Sequence, residues 1–260
     1  MSLLLIDKKD SVAVLTINDD KRRNIISGQL VDEIIEAIVD IEAEESTKAL
    51  IITGAGRAFC AGADLGDLSA ARDGDGSRIE KVYEGFMTIA RCKVPTIAAV
   101  NGPAVGAGMN LAAACDLRVA AKSAVFDTRF MQLGLHPGGG HTWMLQRAMG
   151  WQNSVAMLLL GEKLSGQQAV DRGLAWMCVD DEDLLDAAKN LAARVDRFPQ
   201  ELLIQTKQSL VDTSAMTDHE EAVSYEYGKQ MHSVQQPAFA QLIATMQQKV
   251  TKKPGDSQRD

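Results

Sequence analysis

The chain has 260 residues, of which 46% are hydrophobic and 24% charged, so it is long enough to bury the core of a globular protein. Its formal net charge is -8 and its basic residues are spread along the chain, which argues against a nucleic-acid partner. No segment approaches the ~18 uninterrupted apolar residues of a membrane span, and the apolar run from Leu3 to Ile6 is too short for a signal sequence. We therefore expect a cytoplasmic protein with no membrane partner.

The first two-thirds of the chain alternate between predicted strands and helices. Runs rich in β-branched residues at 12–18 and 49–56 predict two strands, and the segment 27–45 between them has apolar residues at helical spacing. Similar alternation returns at 85–102, 117–121, 124–128 and 173–180. This order predicts an α/β fold with a mainly parallel sheet covered by helices.

After Asp181 the pattern is helical throughout. Amphipathic segments without strand signals follow one another at 183–198, 199–212, 218–234 and 237–250. Two polar stretches, 69–78 and 251–260, are predicted to be mobile.

The cysteines are far apart in sequence and form no C-x-x-C pair, so neither a zinc site nor a redox pair is predicted. All four are predicted to be buried thiols: Cys60, Cys92, Cys115 and Cys178. The histidines lack metal-ligand spacing on a helix, so we predict no metal site.

Two strand-to-helix turns made of small residues predict a backbone site for an anion. The segment "VGAGMNLAAAC", from Val105, would let a ligand approach the free N–H groups at the start of a helix. The segment "GRAFCAGADL", from Gly56, turns through Gly62 into a second helix with Asp64 in its first turn. Two converging N–H donors are what a developing oxyanion needs. The alternative is that these small residues only allow tight helix packing.

Four segments together resemble the enoyl-CoA hydratase/isomerase (crotonase) superfamily, in this order: "NDDKRRNIISGQLVDEI", "GRAFCAGADL", "VPTIAAVNGPAVGAGMNLAAACDLRVAA" and "LGLHPGGGHTWMLQRAMG". The resemblance implies an α/β, crotonase-like spiral of ββα units in residues 1–195 and a C-terminal helical trimerisation region in residues 196–260. It also implies a homotrimer or a dimer of trimers. The implied substrate is an acyl-CoA thioester, whose coenzyme A enters as part of the substrate, so no separate cofactor is expected.

The resemblance assigns roles at the two turns. The donors of the oxyanion hole fall on the N–H groups of Ala63 and Ala107, the second at a position that more often has glycine. Arg22 and Arg23 are implied to lie near the CoA phosphates, with a solvated basic turn as the alternative. The other positions implied to bind substrate are Ala61, Gly62, Asp64, Leu65, Gly106 and Gly108.

The carboxylates that the family uses for catalysis are missing at the matching positions. The two glutamates of the hydratases fall on Asn110 and Phe130, and the carboxylate of some isomerases falls on Gly138. Asn110 can hydrogen-bond a water molecule or a carbonyl group but cannot take a proton at neutral pH. His136 is the first candidate for a substitute base, with a loop histidine bound to solvent or backbone as the alternative. The other polar candidates are Asp67, Asp127, Arg129 and His141, and Asp127 is better explained as the end of a strand or as the partner of a nearby arginine.

The sequence thus predicts an enoyl-CoA hydratase- or isomerase-like enzyme that acts on acyl-CoA thioesters through an oxyanion hole, with an acid/base set that differs from the glutamate pair. A non-catalytic acyl-CoA-binding protein is the alternative. A third hypothesis is a degenerate member of the family that is kept for assembly and has no affinity for CoA.

Overall fold

The computed structural model describes residues 2–251, without the side chains of residue 65 and of residues 248–251. Its strands are β1 (Leu4–Lys9), β2 (Val12–Ile17), β3 (Ala49–Gly54), β4 (Thr96–Val100), β5 (Pro103–Val105), β6 (Leu117–Ala121), β7 (Val125–Asp127), β8 (Leu164–Ser165) and β9 (Met177–Val179). Its α-helices are α1 (Gly28–Ala43), α2 (Leu65–Arg72), α3 (Ser77–Ala90), α4 (Ala107–Ala114), α5 (His141–Leu158), α6 (Gly166–Asp171), α7 (Leu184–Ala192), α8 (Gln200–Thr213), α9 (His219–Val234) and α10 (Pro237–Thr251).

The larger sheet has the strand order β1-β2-β3-β4-β6-β9. β1 is antiparallel to β2, and the other neighbouring strands are parallel. β3 and β4 are buried along their whole length, as strands are when helices cover both faces of a parallel sheet. The mainly parallel sheet that the strand–helix alternation predicts is therefore confirmed.

The sequence patterns do not predict the edge strand β1. Its residues after Leu4 are exposed and end in Asp7, Lys8 and Lys9, so the strand lacks a regular apolar alternation. Charged residues suit an exposed edge, because they hinder pairing with other chains. The strands β5 and β8 are also too short to be recognised from a single sequence.

The smaller sheet brings the two small-residue turns together. Its strand order is β5-β7-β8, with β5 parallel to β7. Cys60 forms an isolated parallel bridge with Ala104 of β5, and Ala63 forms another with Ile26. The chain from Cys60 to Ala63 therefore runs alongside β5, so the turn after β3 and the start of α4 are neighbours.

Apolar side chains of β2 point alternately to two clusters, one on each face of the larger sheet. Leu15 and Ile17 belong to the cluster formed with α1, α3 and α4, whereas Val12 and Val14 belong to the cluster formed with α7. The first of the predicted C-terminal helices, 183–198, thus corresponds to α7 and covers the sheet.

The short helix α4 consists of the eight residues AGMNLAAA. Arg118 donates hydrogen bonds to carbonyl oxygens at its C-terminal end, those of Ala112, Ala113 and Cys115, at 3.3, 3.4 and 2.7 Å. A cation at this end satisfies carbonyls that have no partner inside the helix.

The chain divides into two compact units between Arg197 and Phe198. Within the described residues, the second unit consists of α8, α9 and α10. No residue of α8 or α9 is buried in the single chain. The large apolar side chains exposed on these helices include Leu210, Val223, Tyr227, Leu242 and Met246.

The two segments that the sequence predicts to be mobile differ in what the structure describes. The segment 69–78, predicted to be mobile, contains the last residues of α2 and the first residues of α3. The second segment predicted to be mobile lies outside the described residues from 252 onward.

All four cysteines are free, and three are buried as predicted, but Cys178 is only half-buried because it lies on the short edge strand β9. Among the helices of residues 2–251, none combines the length and the apolar character needed to cross a membrane.

Candidate active site

A cleft of about 600 Å³ opens at the two neighbouring turns of the first unit. Its lining includes residues predicted from the sequence at both turns: Ala61, Gly62, Ala63, Asp64, Gly106 and Ala107. The turns touch one another, because a methyl carbon built on Gly62 would lie 2.9 Å from the carbonyl oxygen of Val105 and 3.9 Å from the nitrogen of Ala107. With φ at 107°, position 62 also favours glycine for its backbone conformation.

The peptide bond between Gly62 and Ala63 sets the direction of the Ala63 N–H group. The carbonyl oxygen of Gly62 accepts a hydrogen bond from the N–H of Ile26 at 2.8 Å. In a trans peptide the C=O and the N–H point in opposite directions, so this bond turns the Ala63 N–H away from Ile26. No described residue accepts a hydrogen bond from it.

The N–H group of Ala107 is oriented by helix geometry. Gly106 has φ 53° and ψ -116°, a conformation that favours glycine. Its carbonyl oxygen accepts hydrogen bonds from the N–H groups of Met109 and Asn110 at 3.0 and 3.1 Å, so the Ala107 N–H points out of the start of α4. Within residues 2–251 it too has no acceptor. The cleft is therefore lined by two residues whose backbone N–H groups have no acceptor among the described residues.

The cleft has an excess of positive charge. Asp64 is the carboxylate among its described lining residues, and one of its oxygens accepts a hydrogen bond from the N–H of Gly66 at 2.7 Å as the N-cap of α2. Arg22 is half exposed and pairs with Asp19 at 2.7 Å. The cations in the lining are Lys21, Arg22, Arg23 and Arg129. Such a lining favours an anionic ligand.

Asn24 fixes the basic turn that carries these arginines. It is buried, has φ 58°, and its amide donates hydrogen bonds to the carbonyl oxygens of Ala55 and Ala58 at 2.8 and 2.7 Å. Its side-chain oxygen accepts a hydrogen bond from the N–H of Asp19 at 2.9 Å. This role was not predicted from the sequence, although asparagine is enriched at left-handed turn positions.

An inner chamber of about 70 Å³ adjoins the cleft. Ala63, Ala107 and Phe130 line both cavities. Asn110 and His136, which the sequence analysis singled out, line the chamber rather than the cleft. Ala63, Ala107, Asn110 and Phe130 therefore line the same chamber.

The amide of Asn110 is held by the protein. Its side-chain nitrogen donates a hydrogen bond to the carbonyl oxygen of Gly138 at 3.0 Å, and its side-chain oxygen accepts one from Nδ1 of His141. Asn110 is 1% exposed. Both polar atoms of the amide are therefore hydrogen-bonded within the protein. This limits the role that the sequence suggested for Asn110, which was to orient a water molecule.

His141 is a buried neutral imidazole. Burial lowers its pKa to about 4. Because Nδ1 donates its hydrogen to Asn110, Nε2 carries none, and this nitrogen has no partner among the described residues. The ring of Phe130 packs edge-on against it, with 4.9 Å between the ring centroids. His141 therefore positions Asn110, which lines the chamber.

We expect His141 to lower the free energy of unfolding by about 2 kcal/mol when the pH falls from 7.5 to 5. The pKa is about 4 in the folded protein and 6.5 in the unfolded reference, so below pH 6.5 the unfolded chain binds a proton that the folded protein excludes. This contribution is fully present above pH 6.5 and is lost at about 1.4 kcal/mol per pH unit down to about pH 4. Urea unfolding of the wild type and of His141→Gln at both pH values measures it. A pH dependence in His141→Gln identical to that of the wild type would contradict the assignment.

The loop before α5 places the other predicted positions. His136 is exposed, and its Nδ1 lies 2.8 Å from the carbonyl oxygen of Pro137. This contact corresponds to the alternative of a loop histidine bound to backbone, although the ring also lines the chamber. Gly138 lies in the chamber wall as well.

Asp127 is the last residue of β7 and is buried between two cations. This agrees with its interpretation as a strand end or an arginine partner. It pairs with Arg129 at 2.6 Å and with Lys163 at 3.1 Å. Burial raises the pKa of its carboxyl group, but the hydrogen bonds from these two cations outweigh burial and leave the pKa lowered. Asp127 is therefore a structural carboxylate and a poor base.

Among the described residues, the remaining groups near the turns provide neither a nucleophile nor a metal site. Burial raises the pKa of Cys60 to about 12, against the opposing hydrogen bond from the backbone of Gly62, so its thiol stays protonated. Within residues 2–251, no cluster of three or more His, Cys, Asp or Glu side chains could hold a metal ion.

One predicted substrate-binding position, Gly108, stands apart from the described lining of the cleft. A methyl carbon on Gly108 would lie 2.1 Å from the carbonyl oxygen of Cys60, so this glycine allows α4 to pack against the neighbouring turn. That geometry corresponds to the packing alternative. Leu65 begins α2, and its side chain lies outside the described part of the structure.

Comparison with known proteins defines the family. The sequence profile of the enoyl-CoA hydratase/isomerase family matches residues 7–252. This chain therefore belongs to the enoyl-CoA hydratase/isomerase family, the crotonase superfamily that its four motifs resemble. The crystal structure of an enoyl-CoA hydratase from a Polaromonas species is 29% identical and has a TM-score of 0.89, over 95% of this chain and 97% of that one. The predicted α/β, crotonase-like fold is thus confirmed.

Individual relatives are similar over most of their length. A probable enoyl-CoA hydratase of Mycobacterium tuberculosis is 45% identical over 94% of this chain and 96% of its own. The 1,2-epoxyphenylacetyl-CoA isomerase of Escherichia coli is 37% identical over 81% of this chain and 82% of its own.

Proposed function

We propose that this protein binds an acyl-CoA thioester and polarises its carbonyl group through the backbone N–H groups of Ala63 and Ala107. The observation that carries the proposal is that both donors line one cleft and have no acceptor among the described residues. An oxyanion that develops from the thioester would be stabilised there by donors that need no reorganisation. The positive end of the α4 dipole adds to this stabilisation.

The rest of the ligand suits the two cavities. The phosphates of CoA would lie near Lys21, Arg22 and Arg23, which line the cleft. The acyl group would enter the chamber, which shares Ala63 and Ala107 with the cleft. CoA arrives as part of the substrate, and proton transfer next to a thioester needs no further cofactor. The hydratase and isomerase relatives support a lyase or isomerase reaction at this site.

The acid/base set of the proposed enzyme differs from a pair of glutamates. Asn110, Phe130 and Gly138 provide no carboxylate. Asp67 and His136 do line the chamber, and Asp67 is paired with Arg78 at 3.1 Å. Proton transfer in this proposal falls to these two groups, so water addition is expected to lack much of the usual ~10²- to 10⁴-fold contribution from positioned acids and bases.

Crotonyl-CoA distinguishes an enzyme from a binding protein. We expect calorimetry to detect binding, and the loss of enoyl absorbance to show hydration on the order of 10² times slower than in a hydratase with both glutamates. Absence of binding would contradict the proposed function and would fit the hypothesis of a protein kept for assembly. Binding with neither hydration nor exchange of the α-proton would favour the non-catalytic acyl-CoA-binding protein. Fast hydration would show that Asp67 or His136 fully replaces the glutamates.

We propose that the C-terminal helices join copies of the chain into a homotrimer or a dimer of trimers. Leu210 is 70% exposed and Leu242 is 44% exposed in the single chain, on helices α8 and α10. Exposed apolar side chains of this size are typical of surfaces that another chain covers. Sedimentation velocity at micromolar concentration should show an oligomer that Leu210→Glu with Leu242→Glu weakens. A wild-type monomer would contradict this prediction.

We further propose a cytoplasmic location. The four cysteines are free rather than joined in disulfides, which suits a reducing compartment. Fractionation of cells that express the full chain tests this proposal.

A further inference from the structure

Among the described residues that line the inner chamber, one polar side chain makes no hydrogen bond within the protein. Asn110, Asp67 and His136 each make at least one hydrogen bond within the protein, through the Asn110 amide, one Asp67 oxygen and Nδ1 of His136. Tyr83 also lines the chamber, and its hydroxyl has no hydrogen-bond partner among the described residues. The side chain is half-buried and its hydroxyl is not one of the buried atoms that lack a partner, so water reaches it in the free protein. A tyrosine hydroxyl that a ligand removes from water needs a new partner. A ligand in the chamber can therefore supply it.

Tyr83 reaches into the chamber at the position of Gly138. A methyl carbon built on Gly138 would lie 2.0 Å from Oη of Tyr83 and 3.1 Å from its Cζ. The hydroxyl thus occupies the space that any side chain at position 138 would need. The ring of Tyr83 packs against Phe86, with 5.6 Å between the centroids and an angle of 47°, on the same helix α3. This packing holds the hydroxyl in place.

The surroundings of the hydroxyl determine which acyl groups it accepts. Ile79, Val82 and Leu68 give the chamber an apolar wall. A hydrocarbon acyl group that displaces water from this space would leave the hydroxyl without a partner, which is unfavourable. An acyl group that carries an oxygen atom would restore the hydrogen bond.

We propose that Tyr83 is a specificity-determining residue whose hydroxyl donates a hydrogen bond to an oxygen atom on the acyl group of the bound thioester. Oxygen-bearing acyl-CoA thioesters then bind better than hydrocarbon ones. The inference rests on the proposed function and adds the chemical class of the acyl group. The expected preference is about 5- to 10-fold in affinity, the effect of one net hydrogen bond.

Calorimetric affinities for 3-hydroxybutyryl-CoA and butyryl-CoA test the inference, because these thioesters differ by one oxygen atom. The wild type should bind the first about 5- to 10-fold more tightly. Tyr83→Phe should remove this preference and leave the affinity for butyryl-CoA within about twofold, since only the hydroxyl is lost. The matched control is Tyr227→Phe on α9, where the side chain is 62% exposed, and it should keep the preference.

A second variant, at position 138, displaces the hydroxyl group of Tyr83 without changing Tyr83 itself. Gly138→Ala forces the Tyr83 hydroxyl to move, so it should also remove the preference for 3-hydroxybutyryl-CoA. Gly28→Ala is its control, because nothing lies within 4 Å of a methyl group at the start of α1. Circular dichroism shows whether each variant keeps the wild-type fold.

The outcomes separate the inference from the function on which it rests. Equal wild-type affinities for the two thioesters, or a preference that survives in Tyr83→Phe, would overturn the role of Tyr83 and leave acyl-CoA binding intact. If the wild type binds neither thioester, the proposed function itself fails. A preference that both Tyr83→Phe and Gly138→Ala remove, and both controls keep, supports the inference.

Discussion

Ala107→Pro is expected to slow the exchange of the α-protons of butyryl-CoA with solvent about 10²- to 10³-fold, a cost of roughly 2.7 to 4 kcal/mol in the transition state. Whichever group takes the proton, negative charge develops on the thioester oxygen, and proline removes one of its two donors. Proline is well tolerated at the first position of a helix, where its missing N–H has no partner inside the helix. Mass spectrometry of butyryl-CoA incubated with the protein in heavy water measures the exchange.

The control for this variant is Ala107→Gly, which keeps the N–H group at the start of α4. Its exchange rate should stay within a few-fold of the wild type, because only a methyl group is lost. Circular dichroism and thermal unfolding establish that both variants are folded. A folded Ala107→Pro protein with the wild-type exchange rate would exclude Ala107 as a donor.

The double variant Asn110→Glu with Phe130→Glu is expected to raise the hydration of crotonyl-CoA by about 10²-fold or more. The first carboxylate would lie one helical turn after Ala107 and could accept the hydrogen bond that His141 now donates to Asn110. The second would replace an aromatic ring that lines both cavities. One carboxylate can then activate water while the other protonates the α-carbon, and the loss of enoyl absorbance measures the rate.

Each single variant serves as a matched control for the pair. Asn110→Glu alone should remain at the wild-type rate, because Phe130 still shields the chamber from water and the second carboxylate is absent. It should also lower the free energy of unfolding, since the hydrogen bond to Gly138 is lost. A large gain from one substitution, or none from a correctly folded double variant, would show that these positions do not hold the missing acid and base.

The backbone part of the candidate site could be predicted from the sequence because it depends on local features. Ala63 and Ala107 present N–H groups at strand-to-helix turns, and the glycines and alanines of such turns are visible in one sequence. Buried strands such as β3 are equally visible, since their apolar runs need no partner to be recognised. The family resemblance then added the ligand that such a turn would bind.

Contacts between distant segments could not be predicted in this way. Asn110 is bonded to His141, 31 residues later, and no periodicity links the two positions. Tyr83 has the spacing of an ordinary core residue on an amphipathic helix, and only the fold places its hydroxyl against Gly138. For Gly108 the sequence left binding and packing open, because a glycine does not reveal which neighbour approaches it.

Arg118 makes the net charge at the two ends of α4 unequal in size. The helix has eight residues and spans about 12 Å, with partial charges of opposite sign at its two ends. The guanidinium group binds carbonyl oxygens at the negative pole and offsets its charge. An anion at the Ala107 end therefore experiences the positive pole with little cancellation from the far end. The potential at the two donors is set partly by a cation one helix length away, which does not line the cleft or the chamber.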